Sequence, residues 1–119
     1  MQYKLGIGDF IGVQVEGEAN DAQGAFKPFS FVLVCKRLTA DQLSQRHEKG
    51  EETFLQLFTE IATDWRNQAL VLNEDGTPAA FSAEALAVLF SIPGMPLRVY
   101  TAYLQQVAVR QKNSLKPRA

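Results

Sequence analysis

The spacing of apolar residues changes once along this chain, and that change limits the fold more than any other feature. Near the start, Tyr3, Leu5 and Ile7 alternate with Gln2, Lys4 and Gly6, and Ile11, Val13 and Val15 alternate with Gly12, Gln14 and Glu16. A period of two belongs to half-buried strands, so two short strands or one interrupted strand are expected. Residues 16–24 hold Gly17, Glu18, Asn20, Asp21 and Gly24, the composition of a mobile polar loop. Residues 29–35 are apolar at nearly every position (Phe29, Phe31, Val32, Leu33, Val34, Cys35), which predicts a central strand covered on both faces. Beyond Thr39 the spacing becomes three and four. The expected class is α+β: a small N-terminal antiparallel β-sheet, hairpin or meander, followed by about four α-helices in a single domain. Whether the N-terminal strands pair within the chain or between chains stays open, and an unpaired edge there favours self-association. With 119 residues, 46% of them hydrophobic, the chain can bury one core of its own.

The helical part carries its own punctuation. Thr39 with Gln42 three positions on forms a capping box that opens the first helix, and Gly50 closes it. Glu51 and Glu52 suit the start of a second helix in which Phe54, Leu57, Phe58, Ile61 and Trp65 share a face, with Trp65 at its end. Residues 69–72 are a candidate short strand. Asn73-Glu74-Asp75-Gly76-Thr77-Pro78 is a turn in which Gly76 takes a positive φ. Ser82 caps a short helix with Leu86, Leu89 and Phe90 on one side, and Ile92-Pro93 ends it. Pro93 and Pro96 fit the first turn of a last helix, where Leu97, Tyr100, Leu104, Val107 and Ala108 form the expected core stripe. Residues 1–112 are thus read as the domain and 113–119 as a disordered tail.

The residue inventory argues against several chemistries. Twelve basic and thirteen acidic side chains give a net charge of -1, so no global field draws the chain to nucleic acid or an anionic membrane. Lys112, Lys116 and Arg118 read as a solvated terminus. No apolar run approaches the ~20 residues of a membrane helix, and a basic-then-apolar leader is not seen, so the expected location is the cytosol. Single His47 and Cys35 cannot assemble a zinc site or a nucleophile–base pair, and Cys35 is expected as a buried, reduced thiol. Gly6-Ile7-Gly8 lacks the rest of a phosphate-binding loop. Asn73-Glu74-Asp75-Gly76 lacks the spaced ligands of a calcium loop. The expectation is no enzyme activity, no cofactor and no metal.

One ordered set of motifs resembles a known family. Asp64-Trp65, Asn73-Glu74-Asp75-Gly76-Thr77-Pro78, Phe81-Ser82-Ala83-Glu84-Ala85-Leu86, Leu89, Ile92-Pro93-Gly94 and the closing Tyr100, Tyr103 and Leu104 are similar to the tail assembly chaperones of tailed bacteriophages. A strand ending in Lys36-Arg37-Leu38-Thr39 before the first helix extends the match to about three quarters of the chain. The resemblance implies a protein that binds the tape-measure protein, prevents its aggregation and helps recruit tail-tube subunits. It further implies action in the cytoplasm of the bacterial host and absence from the mature virion. Many such chaperones have a longer form made by ribosomal frameshifting, and Gln111-Lys112-Asn113 can be encoded by CAA-AAA-AAC, which contains a slippery heptamer. The alternative is a structural tail-completion or head–tail connector protein of a phage or prophage.

Helical spacing nominates two interaction surfaces for such a client. Val99, Tyr103 and Gln106 make the second face of the last helix, and Leu55 and Ala62 lie opposite the Phe54/Leu57/Phe58/Ile61 stripe. The same residues equally suit packing on the N-terminal sheet or self-association. Trp65, Asp75, Gly76, Pro78, Phe81, Ser82, Pro93 and Gly94 are read as structural.

Overall fold

The computed structural model describes residue 3, residues 5–49 and residues 53–109. Its elements run β1 (Phe10–Asn20), β2 (Phe26–Lys36), α1 (Ala40–Lys49), α2 (Phe54–Ile61), β3 (Ala62–Arg66), α3 (Ala83–Phe90) and α4 (Met95–Val107). This is the α+β class that the change of period requires, with four helices and an antiparallel sheet in the order β1-β2-β3. The tail at 113–119, Gly50 and the acids Glu51 and Glu52 lie outside the described residues.

The sheet grows from one long hairpin in which Ile11 pairs with Cys35, Val13 with Leu33 and Val15 with Phe31. Val13, Val15, Phe31, Leu33 and Cys35 turn to one face and are fully buried. On the opposite face Ser30 is exposed and Val32 and Val34 are half-buried. β2 is therefore central, as expected, but it is not covered on both faces. α2 and α4 pack on the sheet, and on the opposite face Val32 lies between its cross-strand neighbours Gln14 and Arg66.

The first strand starts later and ends later than its spacing suggests. Tyr3, Leu5 and Ile7 are 91%, 62% and 59% exposed and lie outside β1. The expected loop at 16–24 is mostly strand, because β1 continues to Asn20 and only residues 21–25 turn. Gly17 fits there because the Phe29 ring fills its side-chain space: a Cβ on Gly17 would stand 2.9 Å from Phe29 Cζ. The Asp21 carboxylate organises the turn by accepting from Gln23 N at 2.9 Å and Ala25 N at 3.0 Å. Hydrogen bonding, first from Ala25 N, holds its pKa below the usual carboxylate range.

Two capping boxes open α1 and α2. Gln42 N donates to Thr39 Oγ1 at 3.1 Å while Thr39 N donates to Gln42 Oε1 at 2.9 Å. Thr53 and Gln56 repeat the pattern at 3.1 and 2.8 Å, which sets the start of α2 at Phe54. Arg46 on α1 meets Glu60 on α2 at 2.6 Å and holds that carboxyl below its ordinary pKa, chiefly through this hydrogen bond.

Trp65 does not end a helix. The chain leaves α2 at Ile61, and Ala62–Arg66 pairs with the second edge of β2, setting Trp65 opposite Leu33. The four-residue step from Ile61 to Trp65 suits a continued helix, whereas the strand buries Ala62 and Trp65, three apart, across a register shift opposite Val34 and Cys35. The unpaired backbone of β2 decides between them, since β3 satisfies its edge groups. Residues 69–72 form no strand, only a bridge between Leu72 and Pro78. At the last corner, Gly94 (φ 87°) precedes α4 and Pro96 lies in its first turn, whereas Pro93 stays in the connection. The α3 and α4 axes differ in direction by 108°.

Candidate protein-interaction face

The turn-and-corner motif is held together by two side chains. Trp65 Nε1 donates to Ala79 O at 3.0 Å, and Gln68 Nε2 donates to Val71 O at 2.9 Å and Ala79 O at 3.1 Å. Gln68 Oε1 accepts from Leu70 N at 3.0 Å and Val71 N at 2.8 Å. Gln68 is only 4% exposed and uses both ends of its amide, so it replaces a missing strand pairing in this loop. Sequence reasoning missed it, since a glutamine after Arg66 and Asn67 gives no sign of burial.

The other motif residues close the same structure. Asp75 Oδ1 accepts from Thr77 Oγ1 at 2.7 Å and Thr77 N at 3.0 Å, bonds that hold its pKa below the usual carboxylate range. Gly76 has φ 89°, Pro78 bridges Leu72, and the Phe81 ring stands edge-on to Trp65 at 5.3 Å. Ser82 Oγ accepts from Ala85 N at 3.0 Å and caps α3. These contacts shape the chain locally, at the turn and at the start of α3.

The nominated interaction residues separate into two groups. Val99 and Tyr103 are completely buried, because α4 turns Met95, Val99 and Tyr103 inward and leaves Leu97 59% exposed. Ala62 belongs to β3 and is buried as well. None of these three can meet a partner on the folded surface. Both sides of α4 are apolar, so spacing alone could not tell which faces the core; the Tyr103 hydroxyl settles it by donating to Lys36 O and accepting from Leu38 N at the end of β2. Leu55 is half-buried and Gln106 is exposed.

Each of the accessible pair lines a different depression. Leu55 lies with Phe54, Ala87, Phe90, Ser91 and Pro96 in a shallow, largely apolar groove of about 610 Å³ between α2, α3 and the start of α4. The Phe54 ring stacks on Tyr100 at 4.6 Å and forms one wall. Gln106 lies with Gln14, Glu16, Arg98, Thr101 and Gln105 in a polar recess of about 710 Å³ between β1 and α4. The groove has apolar side chains suited to an apolar helix face, whereas the recess is lined mainly by neutral polar groups, with one acid, one base and two alanines.

Reactive chemistry is sparse beside these surfaces. Among the described residues no three His, Cys, Asp or Glu side chains gather to hold a metal ion. Burial pushes the Cys35 thiol up to about 12, which keeps it neutral and unreactive. No single helix among the described residues is long and apolar enough to cross a membrane. Compared with known proteins, the chain matches no family model, no curated protein and no solved structure.

Proposed function

We propose that this chain is a tail assembly chaperone of a tailed bacteriophage or prophage, acting in the host cytoplasm on the tape-measure protein. In this role it shields the client's apolar helices from aggregation, helps recruit tail-tube subunits and is left out of the mature virion. The observation that carries the reading is the order of parts from Asp64 to Leu104, which resembles that family in turn, capped helix and corner. The groove around Leu55 supports it, because an amphipathic client helix needs an apolar trough. The client face is therefore assigned to Phe54, Leu55, Ala87 and Pro96, replacing Val99, Tyr103 and Ala62.

The test is co-expression with a phage tape-measure protein, which this reading expects to be encoded by a very long, helix-rich reading frame beside the gene. The wild-type chain should keep that product soluble and be retained on it in a pull-down. Leu55→Asp with Ala87→Asp should weaken retention at least about tenfold while leaving the thermal transition cooperative. Undiminished retention removes the groove from the reading. Absence of any binding, together with recovery of the chain in purified virions, favours a tail-completion or connector protein instead.

A further inference from the structure

β1 is an outer strand of the sheet, and its ladder tells which backbone groups remain free. Arg37 N donates to Asp9 O at 2.8 Å at one end of the hairpin, and Asp21 N donates to Ala25 O at 2.8 Å at the other. Hydrogen-bonded positions alternate along an antiparallel pair, so odd-numbered residues of β1 direct their N–H and C=O toward β2. Even-numbered residues, Phe10, Gly12 and Gln14 among them, direct theirs away from it. All three are exposed.

Immediately upstream stands a segment with strand patterning and, among the described residues, no strand partner. Tyr3, Leu5 and Ile7 are in phase with Ile11, Val13 and Val15, so extending β1 backward would put them on the face that carries the core. The chain instead bends at Gly6, Ile7 and Asp9, and Arg37 Nε donates to Gly8 O at 2.6 Å. Folding back onto its own β1 through a two-residue Gly8–Asp9 turn would pair Ile7 with Phe10. That arrangement turns Tyr3, Leu5 and Ile7 to the open face of the sheet, away from the core.

We propose that two copies of this chain pair edge to edge through residues 3–13, antiparallel about Gly8, joining their sheets into one of six strands. The even-numbered groups then face each other across the two-fold axis, with Gly8 O exchanging Arg37 Nε for Gly8 N of the second copy. Leu5 lies opposite Ile11 of the second copy and Tyr3 opposite Val13, all on the core face. Gly8 meets Gly8 with no side chain at the crossing, whereas centring one position later would set Asp9 against Asp9. A second copy is the occupant because its own segment supplies the antiparallel direction, the period and the apolar face that this edge lacks. The inference is independent of the chaperone reading.

Analytical ultracentrifugation of the full chain should show a reversible dimer, with slowed amide exchange at Gly12. Leu5→Asp alters a side chain that is exposed in the single copy and should weaken dimerisation at least about tenfold, with unchanged circular dichroism. Phe10→Pro removes an outward N–H at the first strand residue and should have the same effect; if that variant fails to fold, Leu5→Asp still decides. A wild-type chain that stays monomeric up to its solubility limit overturns the proposal, and a protected Gly12 amide in that monomer would mean fold-back onto its own edge. A dimer of unchanged strength in Leu5→Asp also overturns it.

Discussion

Tyr103 shows how much one polar atom can decide. Its ring is fully buried and edge-on to Phe58 at 5.6 Å, and its hydroxyl ties together the carbonyl of Lys36 and the amide of Leu38. Burial raises its pKa, so the phenol remains neutral and can both donate and accept. Tyr103→Phe leaves the Leu38 N–H unpaired in the core and should destabilise the fold by about 1–3 kcal/mol in denaturant unfolding, with little change in the slope. The residue was visible in the sequence, yet its burial was not, because Tyr100 and Tyr103 each fit a helical stripe. By contrast Gly76 and Ser82 were legible outright: a positive φ and a helix N-cap are needs of the local backbone.

Among the elements, helix beginnings were the most legible and strand limits the least. Thr39–Gln42 and Ser82 act within three residues of themselves, so neighbouring sequence contains the whole interaction. Ser82→Ala should cost about 1 kcal/mol in thermal or chemical unfolding, and Ser82→Gly only a few tenths of that. β3 is the opposite case. Its five residues become a strand because β2 presents an open edge, about thirty positions earlier in the chain. The reach of β1 through Gly17 likewise depends on Phe29, which arrives from the paired strand to fill the space beside the glycine. The same dependence turned the last helix around: Met95, Val99 and Tyr103 face inward because the sheet and Phe58 receive them.

For the whole molecule, α2 and α4 pack on a three-stranded sheet, α3 packs on those two helices, and the core lies among them. Cys35 sits in that core on the central strand, so its reactivity reports on global unfolding. Alkylation under native conditions should be slow and should accelerate with denaturant in step with the unfolding transition. The sign of the pH effect follows from a folded pKa raised from 9.0 to about 12. Stabilisation by the neutral thiol is full below pH 9, declines as pH rises toward about 12, and should be absent in Cys35→Ala when unfolding is compared across that range. The groove around Leu55 and the open edge of β1 exist only at this scale, as each needs residues from distant parts of the chain. By itself the sequence determined the α+β class, the central position of β2, the caps and the Asp75-Gly76 turn, because period and local hydrogen bonding act over a few residues. Only the tertiary structure decided which side of α4 is core, where strands begin and end, that residues 62–66 are a strand, and which apolar side chains remain for a partner. Those outcomes depend on what each surface meets, and a surface with two apolar sides carries no local mark of which one will be covered.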